Sequence, residues 1–270
     1  MIHASDVSLF RSLHTPDRPL ALANVWDVAS ARIVEAAGAS AIATTSAGVA
    51  WSLGAPDGDS VSRDLVLGVV GRITAAVAVP VTVDIEGGYG GTTAEVADTI
   101  GRLLEAGVAG VNIEDGTRPP ETLAGRLTAA RAAAEREGAD LFLNARVDTY
   151  LLGLGDADTR LRDTVDRARS YVEAGADGVF VPGLTDPGLI KELAAALPVP
   201  LNIMAGPGVP SVAELGALGV ARVSLGSGVA QTAYAAAREA ALDLHRTGGY
   251  DSLRRALDYP ELNALFTPSA

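Results

Sequence analysis

Glu105-Ala106-Gly107-Val108-Ala109-Gly110-Val111-Asn112-Ile113-Glu114-Asp115 reads as the last turn of a helix, a glycine cap and a strand that ends in polar residues. Glycine just past the last helical residue is the expected left-handed cap, so the phrase marks a helix end feeding a strand. Glu35-Ala36-Ala37-Gly38-Ala39 and Glu173-Ala174-Gly175-Ala176 repeat it. Outward from these three points, short apolar or β-branched runs alternate with alanine-rich amphipathic segments, the pattern of βα units around a parallel sheet. The strand candidates are Leu20 to Val25, Ala41 to Thr45, Val81 to Glu86, Gly110 to Asp115, Leu141 to Val147, Gly178 to Pro182, Pro200 to Ala205 and Arg222 to Gly226. Eight units with no linker predict an α/β fold, a single (β/α)8 TIM-type barrel over residues 1–270. An open doubly wound sheet would need a glycine-rich fingerprint after its first strand, and Asn24-Val25-Trp26-Asp27 is not one. Beyond the eighth strand, Ala230 to His245 predicts a long helix and Ser252 to Leu257 a short one. These C-terminal helices, 229–270, either cover the sheet or mediate assembly.

With 270 residues, 48% of them hydrophobic, the chain suits one large core of this kind. Cysteine is absent, which excludes disulfides, thiolate metal sites and thiol chemistry. A net charge of -12 repels phosphate backbones and anionic lipid surfaces, so neither nucleic acid nor membrane is an expected partner. Met1 to Phe10 lacks a basic region followed by an apolar core, and no apolar run approaches the roughly 20 residues needed to span a bilayer. A cytoplasmic location is expected.

A barrel of this type builds its active site from the carboxyl ends of its strands. Strand alternation places Asp84 and Glu86 on one face of the third strand, and Asn112 and Glu114 on one face of the fourth. Three carboxylates could then converge at the mouth. Buried unpaired carboxylates are costly, and an oxygen-only cluster suits a hard cation, Mg2+ or Mn2+. The alternative is that these acids cap helices or pair with rim arginines. Arg146, set among apolar residues in the fifth strand, could fork onto a substrate carboxylate or neutralise the acids beside it. Ser46 to Ala50 offers exposed backbone amides, and Asp57 is either a further carboxylate of the site or an ordinary turn residue. The turns Gly206-Pro207-Gly208 and Gly226-Ser227-Gly228 sit where many barrels bind phosphate, although glycine is common there for steric reasons alone. Lys191 falls early in the helix after the sixth strand, which argues against imine chemistry. His3, His14 and His245 lie away from the strand ends, which argues against a histidine base or zinc.

Taken together, Asn24-Val-Trp-Asp-Val-Ala-Ser-Ala-Arg32, Thr45-Ser-Ala-Gly-Val-Ala50, Leu53-Gly-Ala-Pro-Asp57, Asp84-Ile-Glu86-Gly-Gly-Tyr-Gly90, Ile113-Glu-Asp115 and Ala145-Arg146 resemble the isocitrate lyase and phosphoenolpyruvate mutase superfamily over roughly residues 20 to 230. The resemblance implies Asp84 as principal Mg2+ ligand, with Asp57, Glu86 and Glu114 completing the shell directly or through water. Glu86 stands where the family usually has aspartate. Ser46, Ala47, Gly48 and Arg146 match the family's substrate-binding positions, and Trp26, Asn112 and Asn202 count as further candidate substrate contacts. Asp57, Tyr89, Glu114 and Arg146 are the candidate catalytic residues.

Departures narrow the expectation. The isocitrate and methylisocitrate lyases carry a Cys-Gly-His loop after the fourth strand, where this chain has Gly116-Thr-Arg118-Pro-Pro-Glu121. Those two activities are therefore not assigned, and Tyr89, Asp115, Arg118 and Glu121 become the nearest acid or base candidates. The lysine and asparagine of the mutase and hydrolase gating loop are also missing. Pro182-Gly183-Leu184 lacks the lyases' glutamate, which points to a less carboxylated substrate. The resemblance thus implies a Mg2+-dependent carbon-carbon lyase acting on a small 2-oxo or 2-hydroxy acid through a metal-bound enolate. One alternative is a phosphorus-carbon mutase or hydrolase acting on a phosphonopyruvate-like substrate, and another is a non-catalytic barrel that binds a small acid. It also implies a homo-oligomer, a dimer or a tetramer of two dimers, with the last long helix exchanged between subunits.

Overall fold

In the computed structural model, which describes residues 4–267, the three capping glycines adopt the left-handed conformation expected of them. Gly38, Gly107 and Gly175 have φ of +95°, +88° and +106° and follow helices α2 (Val28–Ala36), α5 (Thr93–Glu105) and α7 (Arg160–Glu173). His3 lies outside the described residues. The eight strands are β1 (Leu20–Leu22), β2 (Ile42–Ala43), β3 (Val81–Asp84), β4 (Gly110–Glu114), β5 (Phe142–Arg146), β6 (Gly178–Val181), β7 (Leu201–Met204) and β8 (Val220–Ser224). All neighbours pair in parallel in the order β1-β8-β7-β6-β5-β4-β3-β2. The remaining seam is closed by a bridge between Val25 and Thr44. There the Val25 amide donates to Ala43 O at 2.8 Å and the Thr45 amide to Val25 O at 3.0 Å. Asn24 reinforces the seam, since its Nδ2 donates to Thr44 O and its Oδ1 accepts the Leu225 amide. The fold is the expected (β/α)8 barrel.

Helices α3 (Ser46–Ser52) and α4 (Arg63–Ala76) follow β2, α6 (Pro120–Arg136) follows β4, and α8 (Pro187–Ala196) and α9 (Val212–Ala217) follow β6 and β7. Local chemistry sets their starts. Asp27 with Ser30, and Thr92 with Glu95, form reciprocal capping boxes at α2 and α5. Val96, Ile100, Leu103 and Leu104 then turn one face of α5 onto the sheet. Lys191 is exposed on α8, outside the barrel.

The strands are mostly shorter than expected, and two of the differences bear on the site. β8 begins and ends two residues earlier than Arg222 to Gly226, because the chain leaves the sheet through Gly226 at φ +54°. β3 stops at Asp84, because Glu86 is already left-handed at φ +50°. The long C-terminal helix α10 runs Gly228–Thr247, but the segment expected near Ser252 is a 3-10 turn, Asp251–Arg255, followed by α11 (Tyr259–Ala264).

The sequence reading also missed α1 (Ala4–Ser12), whose Phe10 plugs the amino end of the barrel. A side chain at Gly110 would meet the Phe10 ring at 2.8 Å, so only glycine leaves room for the plug. Phe10 meets Phe142 edge-on at 5.6 Å, and His14 stacks on Phe142 at 4.2 Å. Nδ1 of His14 donates to Phe10 O, while its buried Nε2 has no partner among the described residues.

Burial, reinforced by the positive charge of Arg222, pushes His14 down from 6.5 to about 3. The unfolded chain takes up this proton below about pH 6.5 whereas the folded chain refuses it until about pH 3, so stability falls as pH drops through that window. The expected slope is about 1.4 kcal/mol per pH unit. Chemical unfolding of wild type and His14→Gln between pH 6.5 and 5 measures it. The variant should lose stability less steeply, and parallel curves would refute the assignment.

Candidate active site

The carboxyl ends of β2 to β5 bring the polar residues together. β3 delivers Asp84, and the turn that follows is held by main-chain and side-chain bonds from behind. The Ile85 amide donates to Asn112 O at 3.0 Å and the Glu114 amide to Glu86 O at 2.9 Å. From α6, the buried Arg126 donates to Gly87 O and to Gly90 O. Nothing in the sequence distinguished Arg126 from other helical arginines; its value lies in where α6 docks. Glu86 and Tyr89 both sit at positive φ in this turn, a conformation that costs non-glycine residues on the order of 1–3 kcal/mol each.

Asp84 accepts from the Glu86 amide at 3.1 Å and from Ser46 Oγ at 3.3 Å, and Arg146 Nη1 stands 3.9 Å away. Arg146 is drawn instead to Glu114 at 2.6 Å and Asp148 at 2.7 Å. Asp148, unremarked in the sequence reading, is thus a direct partner of the site's arginine. Burial pushes Asp84 up, against the opposing pull of Arg146. Burial and neighbouring acids raise Glu86 to about 7, and burial, only partly offset by Arg146, raises Glu114 to about 8. Burial would lower Arg146, but Glu114, Asp84 and Asp148 outweigh it and the guanidinium stays charged. One arginine among several carboxylates leaves the site short of positive charge.

Glu86 does not extend the face of Asp84. Its carboxylate accepts the Asp59 amide and, at 3.2 Å, the Tyr89 hydroxyl. Asp57 is exposed at the cavity edge, and its neighbour Asp59 pairs with Arg118 at 2.7 Å. Among the described residues no three of His, Cys, Asp and Glu stand close enough to ligate one ion together. The donor set nonetheless fits Mg2+ or Mn2+, which are commonly held by one or two carboxylates with water filling the other positions. Asp84 would be the direct ligand, with Asp57, Glu86 and Glu114 reached through water.

These groups border a cavity of about 150 Å³. Ser46 and Ala47 open α3 on one wall, where the first amides of a helix have no intrahelical acceptor. Leu151, Phe180, Pro182 and Met204 form an apolar wall opposite, while Asn112 and Ser224 lie at the floor. Of the glycine-rich turns, Gly226 and Ser227 reach the cavity, whereas Gly206 and Gly208 do not border it. Larger depressions on the outer surface, such as one of about 560 Å³ between α5 and α6, are open and far from the strand ends.

Three candidate substrate contacts stand behind the wall or beneath the floor. At Gly48 an added Cβ would meet Thr45 at 2.7 Å and Trp26 at 2.9 Å, so Gly48 and Trp26 seat α3. Trp26 in turn lies 6.1 Å from Tyr234 of α10, ring to ring. Asn202 is 1% exposed below the floor and bonds to Asn144, Ser224 and the main chain. Among the acid or base candidates, Asp115 faces away from the cavity. It accepts the Asp148 amide at 2.9 Å, Arg167 at 2.7 Å and the Tyr171 hydroxyl at 2.8 Å. Glu121 is exposed in the first turn of α6.

Comparison with known proteins agrees with this fold. The family model described as phosphoenolpyruvate phosphomutase matches residues 10–245. An uncharacterized protein of Mycobacterium tuberculosis is 41% identical over 94% of this chain and 95% of its own length. The 2-methylisocitrate lyase of Escherichia coli K12 is 32% identical over 71% of this chain and 67% of its own. An oxaloacetate decarboxylase of Bradyrhizobium is 31% identical over 80% and 75%. Among solved structures, a Burkholderia cenocepacia protein provisionally assigned as a phosphonomutase superposes with a TM-score of 0.84 at 45% identity, covering 87% of this chain and 98% of that one. A phosphonopyruvate hydrolase in complex with oxalate and Mg2+ superposes at 0.83 with 26% identity, covering 98% and 95%.

The placement of Asp115 gives a direct expectation. Asp115→Asn breaks a buried charge pair and should cost about 3 kcal/mol in urea unfolding while leaving Mn2+ affinity unchanged. A fall in Mn2+ affinity without loss of stability would return Asp115 to the site.

Proposed function

Since the chain belongs to the phosphoenolpyruvate phosphomutase family, within the isocitrate lyase and phosphoenolpyruvate mutase superfamily of lyases and mutases, we propose that it is a Mg2+-dependent carbon-carbon lyase of a small 2-oxo or 2-hydroxy acid. The observation that carries the reading is the acid cluster of Asp84 and Glu114 around Arg146, bordering a small cavity beside the amides of Ser46 and Ala47, which have no acceptor among the described residues. A bound Mg2+ supplies an electrophile beside the negative charge that develops when the carbon-carbon bond breaks. The chain's own groups do the rest. The α3 amides hold the substrate carboxylate, and Arg146, fixed by Glu114 and Asp148, directs its remaining N–H groups at substrate oxygens. Leu151, Phe180 and Pro182 keep that wall dry. Tyr89, whose hydroxyl donates to Glu86 in the turn after β3, is the proposed proton carrier. The short segment after β4 has no cysteine or histidine, which supports a substrate other than isocitrate or methylisocitrate.

The phosphorus-carbon reading keeps one observation in its favour: Asp57 borders the cavity with its carboxylate exposed, where a phosphoryl acceptor would have to stand. The decisive experiment offers oxaloacetate, dimethylmalate-like hydroxy acids and phosphonopyruvate to purified protein with Mg2+, with Asp84→Ala as the blank. Pyruvate or another 2-oxo acid released by wild type alone is expected. Phosphate release would transfer the assignment to the second reading, and silence on every compound would sink the first.

The functional unit in this reading is a homo-oligomer in the cytoplasm. Among the described residues no helix is long and apolar enough to cross a membrane. Yet α10 buries only Ala230, and Leu244, Tyr250, Leu253, Leu257 and Tyr259 stand exposed along the C-terminal segment. An apolar surface of that extent is expected to be covered by another copy of the chain. Light scattering should give the mass of a dimer or tetramer, and truncation after Ser227 should give a smaller particle; a monomer before truncation contradicts the proposal.

A further inference from the structure

Beneath the cavity floor, Arg222 is 1% exposed and, among the described residues, bonds to no carboxylate. It lies on β8 two residues before Ser224, so both side chains point into the barrel. Nη2 donates to Asn112 Oδ1 at 3.2 Å, whereas Nε and Nη1 have no partner among the described residues. Burial pushes its pKa down to about 9, which leaves it charged at neutral pH.

A guanidinium can only donate, so the atom that Asn112 turns toward it must be the carbonyl oxygen. The consequence propagates along the interior. Asn112 Oδ1 also accepts Asn144 Nδ2 at 2.9 Å, and that same Nδ2 donates to Asn202 Oδ1 at 3.2 Å. Asn202 Nδ2 then donates to Ser224 Oγ at 3.1 Å. Both ends of this chain of bonds come out at the cavity floor. Among the described residues Asn112 Nδ2 makes no hydrogen bond, and the Ser224 hydroxyl, already accepting, keeps its hydrogen to give away.

We infer that Arg222 is a positioning residue that sets the polarity of the floor, fixing Asn112 and Ser224 as two donors aimed at an unprotonated substrate oxygen. The cavity is then dipolar, with carboxylates toward β3 and β4 for the cation and hydrogen-bond donors toward β4 and β8 for an unprotonated substrate oxygen beyond the carboxylate that α3 holds. This rests on the small-acid reading above and adds the orientation in which the acid is held.

Calorimetric titration with oxalate in saturating Mg2+ tests it, with Mn2+ binding in the absence of oxalate and the melting temperature recorded for each variant. Asn112→Ala and Arg222→Met should each weaken oxalate about tenfold or more, the scale of a lost hydrogen bond to a charged acceptor, with Mn2+ affinity held. The double variant should be no weaker than the worse single, because Arg222 acts through Asn112. Arg222→Lys, which keeps a buried donor, should recover part of the loss and serves if Arg222→Met does not fold. Unchanged oxalate affinity in Asn112→Ala or in a folded Arg222→Met, or losses that multiply in the double variant, would overturn the inference alone. A wild type that ignores oxalate would overturn the small-acid reading and this inference with it.

Discussion

Arg146 is one cation shared by Glu114, Asp148 and, at longer range, Asp84, inside a mouth from which water is largely excluded. In such surroundings an uncompensated carboxylate is costly, and the raised pKa values of Glu86 and Glu114 express that cost. The turn after β3 keeps two non-glycine residues left-handed, and Arg126 reaches through α6 to hold it. The molecule therefore maintains a negative site against both electrostatics and backbone preference. A bound cation would offset the first of these costs.

The barrel supplies the rigidity this requires. Its weakest seam, between β1 and β2, is bridged by a single residue pair and stitched by the Asn24 side chain, which reaches the β8 and β2 sides at once. At the opposite end Phe10 and His14 close the bottom over Phe142. Between plug and mouth the interior is polar, with Asn112, Asn144, Asn202 and Arg222 filling it in one connected set of bonds. A network of this kind is tolerable only where each buried donor finds an acceptor, and the two nitrogens of Arg222 that have no partner among the described residues are its buried exception.

The identity of the site residues was partly legible. Asp84, Glu114 and Arg146 could be placed at strand ends because alternation is a local rule. Glu86 could not, because the rule assumes that the strand continues, and here it stops at Asp84. Asp115, one residue after Glu114, was among the acid or base candidates. The pleat sends them to opposite sides, one to Arg146 and the other to Arg167 and Tyr171. Helix α1 was invisible because its value to the fold lies in a distant glycine, Gly110, and in Phe142.

The sequence by itself determined the eight βα units, the glycine caps between them and the superfamily, since each is written in residues close together along the chain. Only the tertiary structure decided which acids face the cavity, what holds the turn after β3 and which way the buried amides point. The physical reason is distance: Arg222 meets Asn112 across 110 positions of sequence, and Arg126 meets Gly87 across 39. Contacts of that kind leave no periodicity or spacing to read until the barrel has closed.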